Sequence, residues 1–461
     1  MSENNRDLDR RTLLGSIGVS FVALAGCTGD DDDTTEDDEP GMSDDEGDAS
    51  DGDTDAGEGD GNAGDSDGDS DGEGGGGVSG SIDVTGVWAG QEEENFRMVI
   101  DHVQSQTDVE IEYHPRTTDA LLTGTLMDYE SGTAPADIVV MPSPARIRSD
   151  ARNGHLEPVG DVWDPANYAV EPDQVTVDGE VYAVPFKMDL KPGFWYRQSF
   201  FEEHGLSEPE DYDEFLDLLA EIDGIEGVDA PIASGNGDGW PLSDVTEGFF
   251  LRQENGDELQ QGLISGEVDF TDERVQTAFE EIQQLHQEGY FSQQRDFGVQ
   301  YEYFWDNQLP LYFMGSFTTG FDAIQEPEDL GVFMMPGAQG MVASVNWFTI
   351  PTYSDNVEAA KAALSEFISP EGQRVWAKQG GFIASSNQMS ADAYQLEVMA
   401  QLPQMADQVT IVPDLDDALG NPFQQEFWSQ LKGLWSDPDQ DLSSIIERLD
   451  EVQDETLTHE E

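Results

Sequence analysis

Stretches of period two and period 3.6 follow one another along most of the chain. Residues 81–90, SIDVTGVWAG, alternate and are rich in β-branched side chains, the pattern of a strand. The following EEENFRMVIDHVQSQT sets Phe96, Val99, Ile100 and Val103 on one helical stripe. DVEIEYHP reads as a second strand, TDALLTGTLMDYESGT as a helix, and PADIVVMP at 135–142 as a short apolar strand of the kind buried in parallel sheets. This βαβαβ order predicts an open α/β sheet with helices on both faces. Ligands of such sheets gather beyond the carboxyl ends of the strands, here the loops AGQEEE and PSPAR.

Further along, VYAVPFKMDLKPGFWYRQSFFEEHGL predicts a strand, a link, another strand and a helix, and DYDEFLDLLAEI is amphipathic. DERVQTAFEEIQQLHQEGYF carries Val275, Phe279, Ile282 and Leu285 on one stripe. LPLYFMG and VNWFTIP read as strands, NVEAAKAALSEFISPEGQRVWAKQ as one helix, and the remainder as mostly helix. Some 380 residues without a compositional break exceed one comfortable core, which predicts two lobes.

The beginning of the chain has a different character. Arg10 and Arg11 precede an apolar run, Leu13 to Ala25, that is too short to cross a bilayer as a helix of roughly 20 residues. The paired arginines resemble a twin-arginine export signal, and LAGC resembles a lipobox in which Cys27, the only cysteine, is lipidated as the new N-terminus. Residues 28–80 carry no Lys, Arg or aromatic residue and predict a disordered acidic tether, with an end-to-end distance near 40 Å for about fifty residues. Within it DGDSDG imitates the start of a calcium loop, but the twelfth position is Val78 rather than Glu, so it reads as solvated linker and no metal or cofactor is expected.

Charge narrows the partners. The chain has 19 Lys and Arg against 99 Asp and Glu, a formal net charge of −80, which repels phosphate backbones and excludes nucleic acid. Acids spread over every predicted helix suit work in molar salt, where screening lengths fall to about 3 Å, and a halophilic source is expected. With a single cysteine there is no internal disulfide, so stability must come from burial in a large core.

ADIVVMPSPA, GEVYAVPFKMDLKPGFWYR, GDGWPLSDVTEGFFLR, GEVDFTDERV, FMGSF and ISPEGQRVWAKQGGFI occur in that order behind a lipobox and tether. Together, from about residue 82 onward, they resemble the extracellular solute-binding proteins of ABC importers, the sugar-binding family that includes maltose- and α-glucoside-binding proteins. The resemblance implies a two-lobe periplasmic-binding-protein fold of type II-like topology, with three hinge crossings near 187–191, 344–348 and 382–385. One lobe would comprise 81–189 and 347–383, the other 190–346 and 384–461. It further implies a monomer with no enzymatic activity that captures a sugar and delivers it to permease subunits with a cytoplasmic ATPase.

Sugar rings offer apolar faces and a hydroxyl rim, so their sites combine flat aromatics with a few orienting polar groups. In ASGNGDGWPLSDV, Trp240 on a Gly-rich loop is such an aromatic; equally, its ring packs under the loop, with Pro241 ending the previous segment. The G-x-G-x-G spacing invites a dinucleotide reading, but no helix is predicted to open on the last glycine. By position in the family, Glu92 is a ligand carboxylate, although an acid at a helix N-terminus also favours the macrodipole. Asp189 is another, flanked by Lys187 and Lys191, two of only five lysines, with Lys187 in a structural or ligand role. Ser143 matches a ligand-contacting loop, yet the Trp and Asp–Arg pair of maltose-binding proteins are missing nearby. Ser316 and Phe317 stand where relatives have Gly-Ser-Trp. Asp244, Trp347 and Phe382 complete the candidate set.

Other functions remain in view. A surface glycosidase needs two carboxylates about 5–10 Å apart, which so acidic a chain supplies anywhere, but no H-E-x-x-H or P-loop accompanies them, and G-x-S-x-G occurs only in the acidic linker, outside the strand–turn–helix context it requires. Glycerol phosphate or peptide binding, or coupling to a chemoreceptor, would keep the fold and change the partner.

Overall fold

The computed structural model describes residues 78–235 and 237–460. The export signal, Cys27 and the linker up to residue 77 lie outside the described residues. The body begins two residues before its expected start at 81, with strand Ser79–Gly86. No described helix is long and apolar enough to cross a membrane.

The sheets follow from the alternation read in the sequence. Ser79–Gly86 pairs in parallel with Asp108–Pro115 on one side and with Ile138–Met141 on the other, so Val84 stands between Tyr113 and Ile138. Helices Gln91–Gln106 and Thr118–Ser131 connect these strands. Strand Gly340–Thr349 runs antiparallel to Ile138–Met141 and to Val184–Lys191, and Ile383–Ala384 closes the edge of this seven-stranded sheet. A second, four-stranded sheet is built from Gly193–Arg197, Leu311–Met314, Leu330–Met334 and Ile232–Ala233.

Two cores lie against the sheets, the first also taking Trp195, Tyr312 and Met314 from one face of the second sheet. Trp88, Phe96, Phe186, Phe348, Phe367 and Trp376 fill the first. Phe194, Phe215, Phe249, Phe279 and Phe313 fill the second together with Leu415, Phe423, Phe427 and Leu431 from the C-terminal helices. Burial of this kind contributes about 25 cal/mol per Å² of apolar surface.

The chain passes between the sheets at Pro192, between Met334 and Gly340, and after Pro413. The first passage lies directly after the expected 187–191. The other two differ from the expected 344–348 and 382–385. Residues 340–349 belong wholly to the first sheet, and Ile383–Ala384 pairs with Met188 and Lys187 there. Strand Thr410–Pro413, beside Gly340–Ala343, keeps the chain in that sheet for some 30 residues longer than the expected lobe boundary at 384. The single helix expected over 356–379 is two, Val357–Phe367 and Pro370–Ala377. The Ser369 hydroxyl accepts from Gly372 N and Pro370 occupies the first turn, a start signal that outweighs the continuous apolar stripe.

Gly193 makes the first passage possible. Its φ is 153°, and a Cβ there would lie 2.4 Å from the Phe333 carbonyl oxygen and 2.6 Å from Met335 N, both backbone atoms at the second passage. Gly193→Ala is therefore expected to destabilise the fold by about 2–3 kcal/mol, the upper range of overpacking. Urea unfolding in molar salt measures this, and a midpoint equal to the parent's would refute the close approach.

Candidate functional site

The Gly-rich loop is held tightly. It follows strand Ile232–Ala233, and helix Trp240–Leu251 opens directly after Gly239, contrary to the expectation that no helix would begin there. Pro241 accordingly sits in the first helical turn, where a missing N–H costs nothing, and does not end the preceding segment. A Cβ on Gly239 would fall 2.4 Å from the Trp428 Cβ; Gly235, at φ 59°, lies as close as 2.7 Å to the Tyr312 hydroxyl by the same measure. The Asp238 carboxylate accepts from Phe297 N at 2.9 Å and fastens the loop to the start of helix Phe297–Trp305.

This loop presents Trp240 to a wall of rings. Trp240 stands edge-on to Phe297 with ring centres 4.7 Å apart and to Phe317 at 5.9 Å. Phe321 adjoins both Phe297 and Phe317, at 5.7 and 6.0 Å. All four rings are half-buried, unlike the sealed rings of the two cores.

A polar cluster borders the wall. Lys187 and Asp189 lie two apart on one strand and so share a face. The Lys187 ammonium donates to both Asp189 oxygens at 2.9 and 2.8 Å and lies 3.1 Å from Glu92 Oε1, in the first turn of helix Gln91–Gln106. It also lies 5.7 Å from the ring centres of both Phe317 and Trp376. Ser316 Oγ donates to Asp189 at 3.3 Å, and the Asn346 amide approaches the other Asp189 oxygen at 3.4 Å. Burial pushes the Glu92 carboxyl above its usual range although Lys187 opposes this. Burial pulls the Lys187 ammonium down, and Asp189 and Glu92 more than offset it, so lysine stays charged.

A second cluster lies at the first and third passages. Lys191 Nζ donates to Asp244 Oδ1 and Asp414 Oδ2, each at 2.5 Å. Glu247 accepts from Leu415 N at 2.9 Å, and Ser243 Oγ donates to Asp416 at 2.7 Å. Burial pushes Asp244 up to about 7 against the pull of Lys191, and raises Glu247 and Asp416 well above the ordinary carboxyl range.

Of the residues expected from sequence, Glu92, Lys187, Asp189, Ser316, Phe317 and Trp240 thus converge. Others do not. Ser143 caps helix Pro144–Arg152, accepting from Arg146 N at 3.3 Å, and donates to the Asp417 carbonyl at 3.1 Å, which commits its hydroxyl to structure. Trp347 is fully buried, edge-on to Trp163, and Phe382 is fully buried between Phe186 and Trp376; both rings are core. Asp244 joins Lys191 and not the Asp189 group. Phe297, Phe321 and Asn346 were missed, although Asn346 stands directly opposite Lys187 across the strand pair.

The model of the family described as bacterial extracellular solute-binding protein matches residues 89–374. An uncharacterized ABC transporter extracellular-binding protein of Pyrococcus horikoshii is 38% identical over 375 residues, 80% of this chain and 88% of that protein. The alpha-glucosides-binding periplasmic protein AglE of Rhizobium meliloti is 26% identical over 342 residues, covering 68% of this chain and 74% of its own. Among solved structures, the bacterial solute receptor AcbH, described as preferring b-D-galactopyranose exclusively, superposes with a TM-score of 0.72 at 18% identity, over 83% of this chain and 100% of that one. That likeness is one of fold, and it is the two-lobe fold of periplasmic binding proteins.

Proposed function

This chain belongs to the bacterial extracellular solute-binding proteins, and from that premise we propose that it is the sugar receptor of an ABC importer. It captures a neutral mono- or oligosaccharide, with α-glucosides the first class to try, and delivers it to the permease without chemical change. The observation that carries this reading is the contact between the half-buried wall of Trp240, Phe297 and Phe317 and the cluster of Glu92, Lys187, Asp189 and Ser316. The rings suit the C–H faces of a pyranose; the carboxylates and the amide of Asn346 suit its hydroxyls. Lys187 is 2% exposed, so a solute reaches it only when the elements around it part, as hinge motion at the three passages would allow.

The same cluster argues against two other ligands. Lys187 is already matched by two carboxylates, which leaves no net positive charge for a phosphate ester. A glycosidase needs its acid and its nucleophile on either side of the scissile bond, whereas here an ammonium fills the space between Glu92 and Asp189. Export through the twin-arginine route, a lipid anchor on Cys27 at the outer face of the membrane, a monomeric state and a halophilic setting belong to the same proposal and rest on the sequence signals at Arg10, Arg11 and Cys27 and on the charge of −80.

A thermal-shift panel of sugars, amino acids, peptides and phosphate esters in molar potassium chloride tests the assignment. A sugar at 100 times its Kd stabilises the folded state by about 2.7 kcal/mol. A shift with sugars alone is expected; shifts confined to the other classes would overturn it.

A further inference from the structure

The cluster around Lys191 holds more carboxylates than it has bonded cation. Asp244 and Glu247 lie one helical turn apart on Trp240–Leu251, Asp414 directly follows strand Thr410–Pro413, and one carboxylate oxygen from each lies within 4.8 Å of the others. Their exposures are 1%, 0% and 4%. Lys191 meets a single oxygen of Asp244 and a single oxygen of Asp414. Asp244 Oδ2 is buried without a hydrogen-bond partner. A second orphan lies alongside: the side-chain oxygen of Gln260, whose amide nitrogen donates to Glu247 at 2.6 Å and to the Pro413 carbonyl at 2.9 Å. Carboxylates held out of water in excess of their counter-ions are costly, and so is a buried acceptor that nothing meets. One bound cation would relieve both.

We propose that Asp244, Glu247 and Asp414 form a calcium site, with Asp244 Oδ2 as a direct ligand. The donors are all oxygen, which selects a hard cation, and none of the His or Cys ligands that zinc prefers is among them. Calcium takes six to eight oxygens at about 2.3–2.6 Å in a flexible geometry and so accepts an irregular set of protein oxygens, whereas magnesium at about 2.0–2.1 Å demands a near-ideal octahedron and keeps several waters. The ion ties the helix behind Trp240 to the third passage, beside the lysine that ends the first. The site is independent of which solute the protein carries.

Calorimetric titration of calcium chloride into chelator-stripped full-length protein, in molar potassium chloride to silence the acidic surface, tests this. One saturable site per chain and a rise in Tm are expected, with magnesium at least about tenfold weaker. Glu247→Gln and, separately, Asp244→Asn are each expected to weaken calcium binding at least about tenfold. A shallow isotherm of many sites, the same for both metals, would overturn the proposal, as would undiminished binding by a folded variant. Should neither variant fold, the titration of the parent decides alone.

Discussion

Replacing Lys187 by methionine is expected to lower stability by about 3–5 kcal/mol, the usual loss when one partner of a buried ion pair is removed. Methionine keeps most of the length of the side chain but strands Asp189, whose side chain is 6% exposed. Glu92, at 26%, can turn toward water and escapes part of the cost. The signature is in the double variant: Lys187→Met with Asp189→Asn removes the stranded charge and should recover a good part of the loss. Urea midpoints of the parent, both single variants and the double variant give the coupling energy. Additive losses would mean that Lys187 fills space there and does not neutralise charge.

Trp240→Ala is expected to reduce affinity for the sugar found by the panel by about 10- to 100-fold, 1.4 to 2.8 kcal/mol, as befits an aromatic anchor. Stability without ligand should fall far less than for a core tryptophan, because the ring is half-buried and touches Phe297 and Phe317 edge-on. Trp240→Phe should retain most of the binding. Isothermal titration beside ligand-free melting separates the two effects; a large loss of stability with affinity intact would place Trp240 in the core.

Much of the first sheet was legible because its signals are local. The alternation of SIDVTG and the unbroken apolar run of Ile138–Met141 each admit one reading, and both strands form where expected. Lys187 and Asp189 stood out because lysine is scarce and their spacing of two puts them on one face. Aromatics near the expected crossings offered no such purchase. Trp347 and Phe382 look the same in sequence whether they face solute or core, and only packing against Trp163, Phe186 and Trp376 decides it. Among 99 acids, Glu247 and Asp414 carry no mark that distinguishes them, since their proximity arises from a passage 168 residues later in the chain. The strand Thr410–Pro413 was missed for a related reason: four residues, two of them exposed, become a strand only because Gly340–Ala343 lies beside them.

The late return of the chain to the second core has a genetic corollary. Leu415, Phe423, Phe427 and Leu431 complete packing begun by Phe194 and Phe313, more than a hundred residues upstream. Neither half is encoded by one uninterrupted stretch. A chimera that exchanges only 193–335 with a relative would pair foreign strands with native terminal helices, so the second half can be transplanted intact only by two simultaneous exchanges, one of the middle segment and one beginning before Leu415.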